Sequence, residues 1–540
     1  MKVIGLRIEN YKIFKDINIS LNYGVNIFVG ENDSGKTTIL EALSMALTGK
    51  VNGYSIISRL TPDWFNNEIR SKYIDDVKNS GTAKLPYISI EVYLGGLTEN
   101  DEKLKHYKGT NNSRCEDCIG VKLEIKFNEE YSDSYKQLIK ENKVEDIPIE
   151  LYKAEFRNFA TPDYYINVTS RKVACIDATK KDYGNVLNRF VASSINDYLS
   201  EEERTNLRLA YRSNRHNFTE SEAVKSLNAK LQTEHQFRDK KITLNLREND
   251  IDGWKSEMSL SLDSVPLDNA GFGTQNMVKT EMFMQQNIDV DILIIEEPEN
   301  NLSYTNMSLL ISRLSENNDK QIFISTHSSF VANKMGLQNI HLVSDGNTKA
   351  FTELSKTTYN YFIKLPGFNT LRVLLANKII LVEGPADELI IQRAYKDNYG
   401  KLPIEDGIDV MSVGGVAFKR YCELAKLINK NIVIVTDNDG APSSVCEKYS
   451  EFTDNVILCV EEDKGLNTLE PSVLNANKDD FEKFRSIVYW GNDVESVDYD
   501  KLLGFLEKNK TEWSMRVFLS DKKIKYPKYI LKAIGIEYDE

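Results

Sequence analysis

The chain has 540 residues, 41% of them hydrophobic and 28% charged, which is typical of a globular protein with room for about three domains. The net charge of −13 excludes a generally basic coat for nucleic acid and leaves room for a local basic groove. No stretch reaches the roughly 18 to 20 apolar residues of a membrane span, and the first residues predict an amphipathic strand instead of a signal peptide. We therefore expect a cytoplasmic protein without a membrane partner.

The sequence from Gly30 to Thr37, GENDSGKT, fits the phosphate-binding pattern G-x-x-x-x-G-K-[ST] at every fixed position. A predicted buried strand, Val25 to Val29, precedes it, and a predicted helix, Thr38 to Leu47, follows it. Backbone N–H groups of such a loop surround phosphates, while the lysine reaches the β and γ phosphates and the threonine hydroxyl holds Mg²⁺. The predicted ATP contacts are Gly30, Asn32, Gly35, Lys36, Thr37 and Thr38.

The first 40 residues carry a resemblance to a known family. A short strand, then IENYKIFKDINISL, then a strand and GENDSGKTT resemble the head domains of the RecF and SMC-like branch of the ABC ATPases. The resemblance implies that residues 1–180 are the N-terminal part of an ATPase and 241–365 its C-terminal part. A helical pattern between them predicts an insertion at 181–240, with Val191, Ile195, Tyr198 and Leu199 on one face. It serves either dimerisation or simple helix packing.

The predicted second half of the ATPase contains an acidic strand end. The apolar run Ile292 to Ile295 leads into Glu296 and Glu297, at the edge where ligands bind in parallel sheets. We assign Glu296 to Mg²⁺, through water, and Glu297 to polarising the attacking water. A later strand, Ile322 to Thr326, delivers His327, which resembles the switch histidine that senses the γ-phosphate. The alternative for His327 is a structural role.

A glycine-rich segment, Asn269 to Asn276, precedes a predicted helix, Met277 to Gln285. It resembles the signature segment with which one ABC head completes the ATP site of its partner, although it departs from the common Leu-Ser-Gly-Gly-Gln form. The resemblance gives Gly271, Gly273 and Gln275 contacts to the partner's nucleotide. It therefore implies a homodimer or a higher homo-oligomer.

A second α/β pattern begins at Lys378, after a predicted linker at Lys364 to Gly367. Its first strand ends at Glu383, and its third delivers Asp437 and Asp439. Alternate residues on a strand end point the same way, so these two aspartates are expected to converge. Carboxylates this close repel unless a cation neutralises them, which predicts one or two Mg²⁺ ions that could clamp a phosphodiester. An acidic edge without metal is the alternative.

The order of these elements resembles the Toprim domain, and an ABC head followed by Toprim resembles the OLD (overcoming lysogenisation defect) nucleases over nearly the whole chain. The resemblance places Toprim at 375–540 and assigns metal to Glu383, Asp387, Asp437, Asp439 and Glu470. Glu383 also acts in catalysis, and Lys510 becomes the catalytic lysine, with a solvated lysine as its alternative. An alternative for the downstream lysines, with Tyr526 and Tyr529 between them, is a basic stripe for backbone phosphates, formed by Lys522, Lys523, Lys525 and Lys528.

The predicted fold is α/β: an ABC-type ATPase head with a helical insertion, followed by a C-terminal Toprim domain. The predicted function is an ATP-hydrolysing DNA endonuclease that uses Mg²⁺, or Mn²⁺ at the Toprim site. OLD proteins, which include the nuclease subunit of the Gabija system, act against phage, and a Gabija-like chain would have a helicase partner. The signature segment favours a stand-alone protein. A non-cleaving RecF/SMC-like DNA clamp or repair scaffold, and a nuclease that senses ATP without hydrolysing it, stay open.

Overall fold

In the computed structural model, contacts divide the chain into two compact units. The first contains residues 1–28 and 35–326, and the second contains 29–34 and 327–540. The predicted domain boundaries stay predictions. The structure describes residues 1–51, 54–80, 83–96, 102–141, 144–161, 169, 172–178, 199–234, 236–237, 240–241, 243–245, 260–284, 290–316, 319–344, 346–350, 354–364, 372–373, 376, 378–414, 417–427, 429–491 and 494–536. The predicted linker after residue 364, and all but Leu199 of the apolar helical face, lie outside these residues.

The first unit contains an antiparallel sheet in the order β2-β1-β4-β5, with β6 also paired to β5. It also contains strands in the order β7-β8-β9-β3, of which β7, β8 and β9 are parallel. Its strands longer than two residues are β1 (Lys2–Tyr11), β2 (Phe14–Ser20), β3 (Val25–Val29), β4 (Ile88–Gly95), β5 (Cys118–Phe127), β6 (Tyr152–Asn158), β7 (Val173–Asp177), β8 (Ile292–Glu296) and β9 (Gln321–Thr326). Two-residue strand pairs join Lys50–Val51 to Tyr54–Ser55, Gln236–Phe237 to Lys240–Lys241, and Ser261–Leu262 to Val265–Pro266.

The described helices of the first unit are α1 (Lys36–Thr48), α2 (Asn67–Ser80), α3 (Glu102–Lys105), α4 (Ser132–Lys140), α5 (Glu201–Thr219), α6 (Glu222–Glu234), α7 (Phe272–Met284) and α8 (Tyr304–Glu316). The apolar residues of α1 pack against the strands, and nine of its thirteen residues are buried. The helical pattern of the predicted insertion gives α5 and α6, and Ser200 with Glu203 forms a capping box at the start of α5. None of the residues in α5 is buried.

The second unit is built around a four-stranded parallel sheet in the order β13-β12-β14-β15. Its strands are β10 (Ile340–Ser344), β11 (Asn347–Ala350), β12 (Lys378–Val382), β13 (Ile408–Ser412), β14 (Ile432–Val435) and β15 (Val456–Cys459). Its described helices are α9 (Ser329–Met335), α10 (Lys356–Lys364), α11 (Pro385–Tyr399), α12 (Phe418–Leu427), α13 (Pro442–Lys448), α14 (Leu469–Ala476), α15 (Phe481–Val488), α16 (Tyr499–Lys508), α17 (Lys510–Leu519) and α18 (Lys528–Ala533).

The core of the second unit lies between this sheet and the late helices. Buried side chains of α11, α14, α17 and α18 form one hydrophobic cluster with the strands β12, β13, β14 and β15. The carboxyl ends of the parallel strands therefore lie at one edge of the sheet, and the chain that follows β12 and β14 starts there. Among the described residues, no helix has both the length and the apolar character needed to cross a membrane.

Candidate active sites

The phosphate loop leads into α1 as predicted. Gly35 has a φ of 106°, in the left-handed region, and a Cβ on it would lie 2.6 Å from the Phe14 ring, so the position requires glycine. α1 begins directly after it, at Lys36, which is 5% exposed. Thr37 is exposed and Thr38 is buried. The helix therefore presents its N-terminal N–H groups and the Thr37 hydroxyl where a phosphate and its cation would bind.

The earlier part of the loop belongs to the second unit. A Cβ on Gly30 would collide with the Val343 carbonyl oxygen, so only glycine fits between β10 and the loop. Asn32 is exposed, and Asp33 has a left-handed φ of 62°. His327 follows the last residue of β9 directly and is exposed. Each residue lies at a loop or strand end, as the sequence predicted.

The acidic strand end of the first unit is half-buried and held by hydrogen bonds. Glu296 is the last residue of β8, and its register partner on β9 is Ser325. Glu297 has a φ of 47°, a conformation that is rare for a residue with a side chain. Its N–H donates to the Ser325 carbonyl at 2.9 Å, and its Oε2 accepts from Asn300 Nδ2 at 2.6 Å. The turn thus fixes two consecutive carboxylates at the carboxyl edge of the parallel strands.

Asp177 is a carboxylate at this edge that the sequence reasoning missed. It ends β7, and its register partner is Glu296, so the two side chains share one face of the sheet. Cys175, two residues earlier on that face, has its Sγ 3.3 Å from Ser44 Oγ of α1. Asp177 and Glu296 therefore lie on the face that α1 covers. An Asp closing a short apolar run, VACID, was the available signal.

The signature-like segment differs from its prediction. α7 begins at Phe272 instead of Met277, so Gly273 and Gln275 lie in its first turn. Gly273 packs so closely that a Cβ would collide with the Asn301 carbonyl, whereas Gly271 has open space around it. Gln275 is 4% exposed, and its Nε2 donates to the Ala270 carbonyl at 2.9 Å. The side-chain amide of Gln275 is therefore used inside its own segment.

The predicted acidic site of the second unit is assembled from several segments. Glu383 follows β12 directly, and its Oε1 accepts from the Asp437 N–H at 3.2 Å and from the Thr436 hydroxyl. Asp387, in the first turn of α11, accepts from the Gly384 N–H at 3.0 Å. Glu470, in the first turn of α14, is 1% exposed and accepts from Thr468 Oγ1 at 3.0 Å. Three carboxylates are thus fixed around Asp437 by local hydrogen bonds.

The carboxylates of this cluster influence one another strongly. Burial, followed by the charges of Asp387, Glu383 and Glu470, raises the pKa of Asp437 to about 8. Burial and the neighbouring Glu383 and Glu470 carboxylates raise the pKa of Asp387 to about 6. Lys510, the first residue of α17, lies 3.5 Å from Glu470 and opposes the rise in the pKa of Asp437. The structure therefore brings together five of the six predicted Toprim residues. Four of these are carboxylates, and Lys510 is the positively charged fifth.

Asp437 and Asp439 lie outside the strand, so strand alternation does not bring them together, and their convergence stays a prediction. β14 ends at Val435, so the alternation of a strand does not extend to these residues. Asp439 is exposed and has a φ of 48°. Asn438, between the aspartates, is buried and donates to the carbonyls of Glu461 at 2.8 Å and Asp463 at 2.9 Å. Asp439 is therefore the exposed aspartate of the pair, and we call its exposed position the rim.

The two tyrosines of the suggested basic stripe are buried, so that interpretation is wrong for Tyr526 and Tyr529. Tyr526 is 9% exposed and donates to Asp397 at 2.6 Å, and Tyr529 is 7% exposed within the core. Burial and the charges of Asp387 and Asp437 raise the pKa of Tyr529 well above its usual range. Tyr529 therefore lies beside the carboxylates, on α18, a helix that packs on β14 and β15. No local sequence pattern indicates that α18 packs on the sheet beside the carboxylates.

The carboxylate oxygens of this cluster are chemically suited to bind a divalent cation. Oxygen ligands are those that Mg²⁺ and Mn²⁺ prefer, and burial with three neighbouring carboxylates raises the pKa of Asp437. Among the described residues, no group of three or more His, Cys, Asp or Glu side chains has the arrangement that holds a metal ion. The carboxylates of Glu383, Asp387 and Glu470 instead accept hydrogen bonds, from Thr436, Gly384 and Thr468 respectively.

Two family models match the chain. Residues 1–332 match the AAA ATPase domain family, and residues 374–439 match the Toprim domain of proteins like the overcoming lysogenization defect protein. The fold and sites define the class of ATPase–Toprim proteins. The chain belongs to the OLD family within that class, with an ATPase domain and a Toprim domain.

The most similar relatives cover small parts of the chain. The DNA replication and repair protein RecF of Chlamydia caviae is 40% identical over 50 residues, 9% of this chain and 14% of RecF. The RecF of Clostridium tetani is 38% identical over 50 residues, again 14% of its length.

Solved structures give distant likenesses. An Smc head bound to the C-terminal winged-helix domain of ScpA covers 65% of this chain and 98% of its own, at 15% identity and a TM-score of 0.36. The C-terminal region of the Xanthomonas campestris OLD protein covers 30% of this chain and 92% of its own, at 22% identity and a TM-score of 0.23. Likenesses this distant carry no evidence about activity.

Proposed function

We propose that the protein is an ATP-hydrolysing, divalent-metal-dependent DNA endonuclease that acts in bacterial defence against phage. The observation that carries the nuclease part is the cluster around Asp437, whose pKa burial and neighbouring carboxylates raise to about 8. Carboxylates held this close together repel one another and lower the stability of the fold unless positive charge neutralises them. A cluster kept under that penalty at the carboxyl edge of a Toprim sheet supports a metal-binding role.

In the proposed nuclease site, Glu383, Asp387, Asp437 and Glu470 would hold Mg²⁺ or Mn²⁺. The metal, when bound, supplies Lewis-acid stabilisation of the phosphodiester oxygens and a more acidic water. Lys510, 56% exposed and 3.5 Å from Glu470, would face the charge that develops on the scissile phosphate. Asp439 is exposed at the rim, so we assign it a lesser part in metal binding.

In the proposed ATP site, Lys36 binds the β and γ phosphates, and Thr37 with Glu296 holds the Mg²⁺ of ATP. Glu297 orients the attacking water, and its bond from Asn300 fixes the carboxylate for that role. His327, at the end of β9, would contact the γ-phosphate.

A homodimer would complete this site in trans through the segment of Gly271 and Gly273. Gln275 would have to release the Ala270 carbonyl before it could reach a partner's nucleotide. We therefore assign the trans contact chiefly to backbone N–H groups at the start of α7. The exposed helices α5 and α6 are the proposed dimerisation segment. DNA is the proposed substrate, and a helicase partner is proposed only if the protein works as the Gabija nuclease subunit does.

A supercoiled plasmid tests the proposal. Wild type is incubated with Mg²⁺ or Mn²⁺, with and without ATP, beside Asp437→Asn and Lys36→Ala, and nicked and linear products are quantified. We expect metal-dependent cleavage that Asp437→Asn abolishes, and Lys36→Ala shows whether nucleotide drives or restrains it. Intact DNA in every wild-type reaction, together with ATP hydrolysis, would refute the nuclease.

A second candidate is a non-cleaving, RecF/SMC-like ATP-dependent DNA clamp or repair scaffold. One observation favours it: in the described part of the chain, the acidic side chains do not already converge on a metal position. In a clamp, the carboxylates would be structural, and Asp437→Asn would leave DNA retention unchanged. Retention on circular DNA with ATP, without product formation, would identify the clamp.

A further inference from the structure

Arg393 is a buried arginine whose contacts lie outside the carboxylate cluster. It lies on α11, is 5% exposed, and its Nε donates to Asp397 Oδ1 at 2.9 Å. Its Nη1 donates to the carbonyls of Val517 at 3.0 Å and Phe518 at 2.9 Å, and also to the Ser520 carbonyl. Its Nη2 donates to the Lys522 carbonyl at 3.3 Å. One guanidinium thus binds four carbonyls at and after the end of α17.

These carbonyls belong to the part of a helix that attracts cations. The last four carbonyls of a helix have no partner within it, and the helix dipole places partial negative charge there. α17 ends at Leu519, so Arg393 binds its last turn and the chain that leaves it. A planar guanidinium holds several carbonyls in a fixed geometry, which a lysine ammonium does not reproduce.

The guanidinium is itself held in place. Asp397, 8% exposed, accepts from Arg393 and also from the Tyr526 hydroxyl at 2.6 Å. Lys523 Nζ donates to the Asp397 carbonyl at 2.6 Å. Because both ion-pair partners are buried and share these bonds, Arg393 has one available orientation. Arg393 therefore joins α11 to the end of α17 through a buried network of hydrogen bonds.

The two helices joined by Arg393 carry residues of the proposed nuclease site. α11 starts beside Asp387, six residues before Arg393, and α17 starts at Lys510. Lys510 is 56% exposed, so packing of its own side chain does not fix its position. The position of its ammonium group is set by where α17 lies, and α17 packs along α11. A shift of the helix by about 1 Å is enough to cost a catalytic group up to 100-fold in rate.

We propose that Arg393 is a positioning residue, which acts through α17 to hold the Lys510 ammonium at the carboxylate cluster. The proposal rests on the proposed nuclease function. Trp513 and Val517 are fully buried in the core, so we expect α17 to stay folded when the hydrogen bonds of Arg393 to its carbonyls are weakened. What changes is the placement of its first residue.

The test compares Arg393→Lys with Arg372→Lys as a matched control. Arg372 makes a two-pronged ion pair with Asp409 of β13 in the same unit, and its Nη2 also donates to the Val410 carbonyl of β13 at 3.2 Å. We expect Arg393→Lys to lower kcat for plasmid nicking by about 10- to 100-fold. The KM for DNA should stay within twofold, because Arg393 is buried and cannot touch DNA, and Arg372→Lys should leave kcat unchanged. An unchanged kcat in Arg393→Lys would overturn the proposal.

A double variant separates positioning from a general loss of structure. In a Lys510→Ala background, Arg393→Lys should cause no further loss of residual nicking, because its effect passes through Lys510. The same fractional loss in both backgrounds would overturn the proposal. Thermal unfolding of each variant confirms that the folded protein is being compared.

Chemical labelling tests the same idea without cleavage, so its failure is distinguishable from that of the proposed function. The metal-free protein is treated briefly with acetic anhydride, and acylation of Lys510 relative to Lys508 is measured by mass spectrometry. Lys510, beside Glu470, should react more slowly in wild type and in Arg372→Lys than in Arg393→Lys. An equal ratio in all three proteins would overturn the proposal, even if wild type cleaves DNA.

Discussion

Each unit of the protein places carboxylates at the carboxyl ends of parallel strands, but the two sets are built differently. In the first unit, Glu296 and Glu297 are consecutive residues at one strand end, half-exposed and close to a loop that supplies their other partners. In the second unit, the carboxylates around Asp437 come from segments separated by almost 90 residues, and Glu470 is almost completely buried.

This difference explains how each site depends on cations. A pair on one turn can be held by a local hydrogen bond such as that from Asn300 to Glu297. A cluster assembled around Asp437 brings half-buried and buried like charges together, and Lys510 offsets only part of the repulsion. We therefore expect loss of charge to act mainly on ATP chemistry in the first unit, and on both chemistry and stability in the second.

The largest expected effect is that of Asp437→Asn on DNA cleavage. Removing the central carboxylate should lower metal-dependent nicking by about 1000-fold or more, because the proposed metal site loses a ligand. ATP hydrolysis should stay within twofold. Asp439→Asn, a change at the exposed rim, is the matched control and should cost about 10-fold or less. Equal losses in the two variants would contradict the distinction between cluster and rim.

The next largest effect is expected from Glu297→Gln, on ATP hydrolysis. We expect ATP hydrolysis, measured as phosphate release, to fall by about 100- to 1000-fold while ATP still binds, because the amide cannot polarise water. Glu299→Gln, two residues away on the same turn, is the control, since Glu299 accepts from the Thr326 hydroxyl at 2.6 Å. If Glu297→Gln hydrolyses ATP at the wild-type rate, the assignment of the water-activating residue is wrong.

Asp177→Asn removes the charge of the carboxylate that is the register partner of Glu296 on the neighbouring strand. We expect about a 10-fold higher Mg²⁺ requirement for ATP hydrolysis, because the cation loses a neighbouring negative charge. The maximal rate at saturating Mg²⁺ should change less than the Mg²⁺ requirement. A Mg²⁺ titration of the steady-state rate measures both quantities, and an unchanged requirement would show that Asp177 is only structural.

In the metal-free second unit, stability should fall as pH rises. The pKa of Asp437 is about 8 in the folded protein against about 3.8 for an aspartate in the unfolded chain, so the folded state binds the extra proton between these limits. The stability linked to this group is therefore complete below about pH 4 and is lost as pH rises through about 8. Thermal melts in EDTA should show a falling Tm, by a few degrees, and Mg²⁺ should reverse it. Asp437→Asn should flatten this slope, and Asp439→Asn should keep it.

The smallest effects should come from the two glycines of the signature-like segment. Gly273→Ala collides with the Asn301 carbonyl and should lower the free energy of unfolding by about 1 to 3 kcal/mol. Gly271→Ala enters open space and should cost less than about 0.5 kcal/mol. Denaturant titration measures both values. A similar loss in both would mean that backbone freedom matters more than the contact with Asn301.

The sequence was most informative where function depends on neighbouring residues. The strand, loop and helix around Lys36, the strand before Glu296 and the strand before Glu383 were all predicted close to their observed bounds. Each is encoded by an apolar run followed directly by chemistry-bearing residues. Family resemblance added Glu470, which no local pattern would have assigned to the same cluster.

Predictions were wrong, or lost their basis, where a residue's surroundings depend on distant parts of the chain. Asp439 was expected to follow strand alternation, but β14 had already ended and Asn438 was fixed by carbonyls more than 20 residues away. Tyr529 was read as part of a surface stripe because its lysine neighbours are polar, yet α18 packs on the sheet. Asp177 was missed because its strand is short and its partner lies over 100 residues later.

The packing of α18 against β14 and β15 also has a consequence for protein synthesis. Lys510 and Tyr529 leave the ribosome after all of the sheet strands, so the carboxylates are made long before the residues that complete their surroundings. A nascent chain interrupted before Ala533 lacks an intact α18, and one interrupted before Lys510 also lacks the ammonium group. Incomplete translation products would therefore carry the acidic residues of the Toprim domain without a complete site.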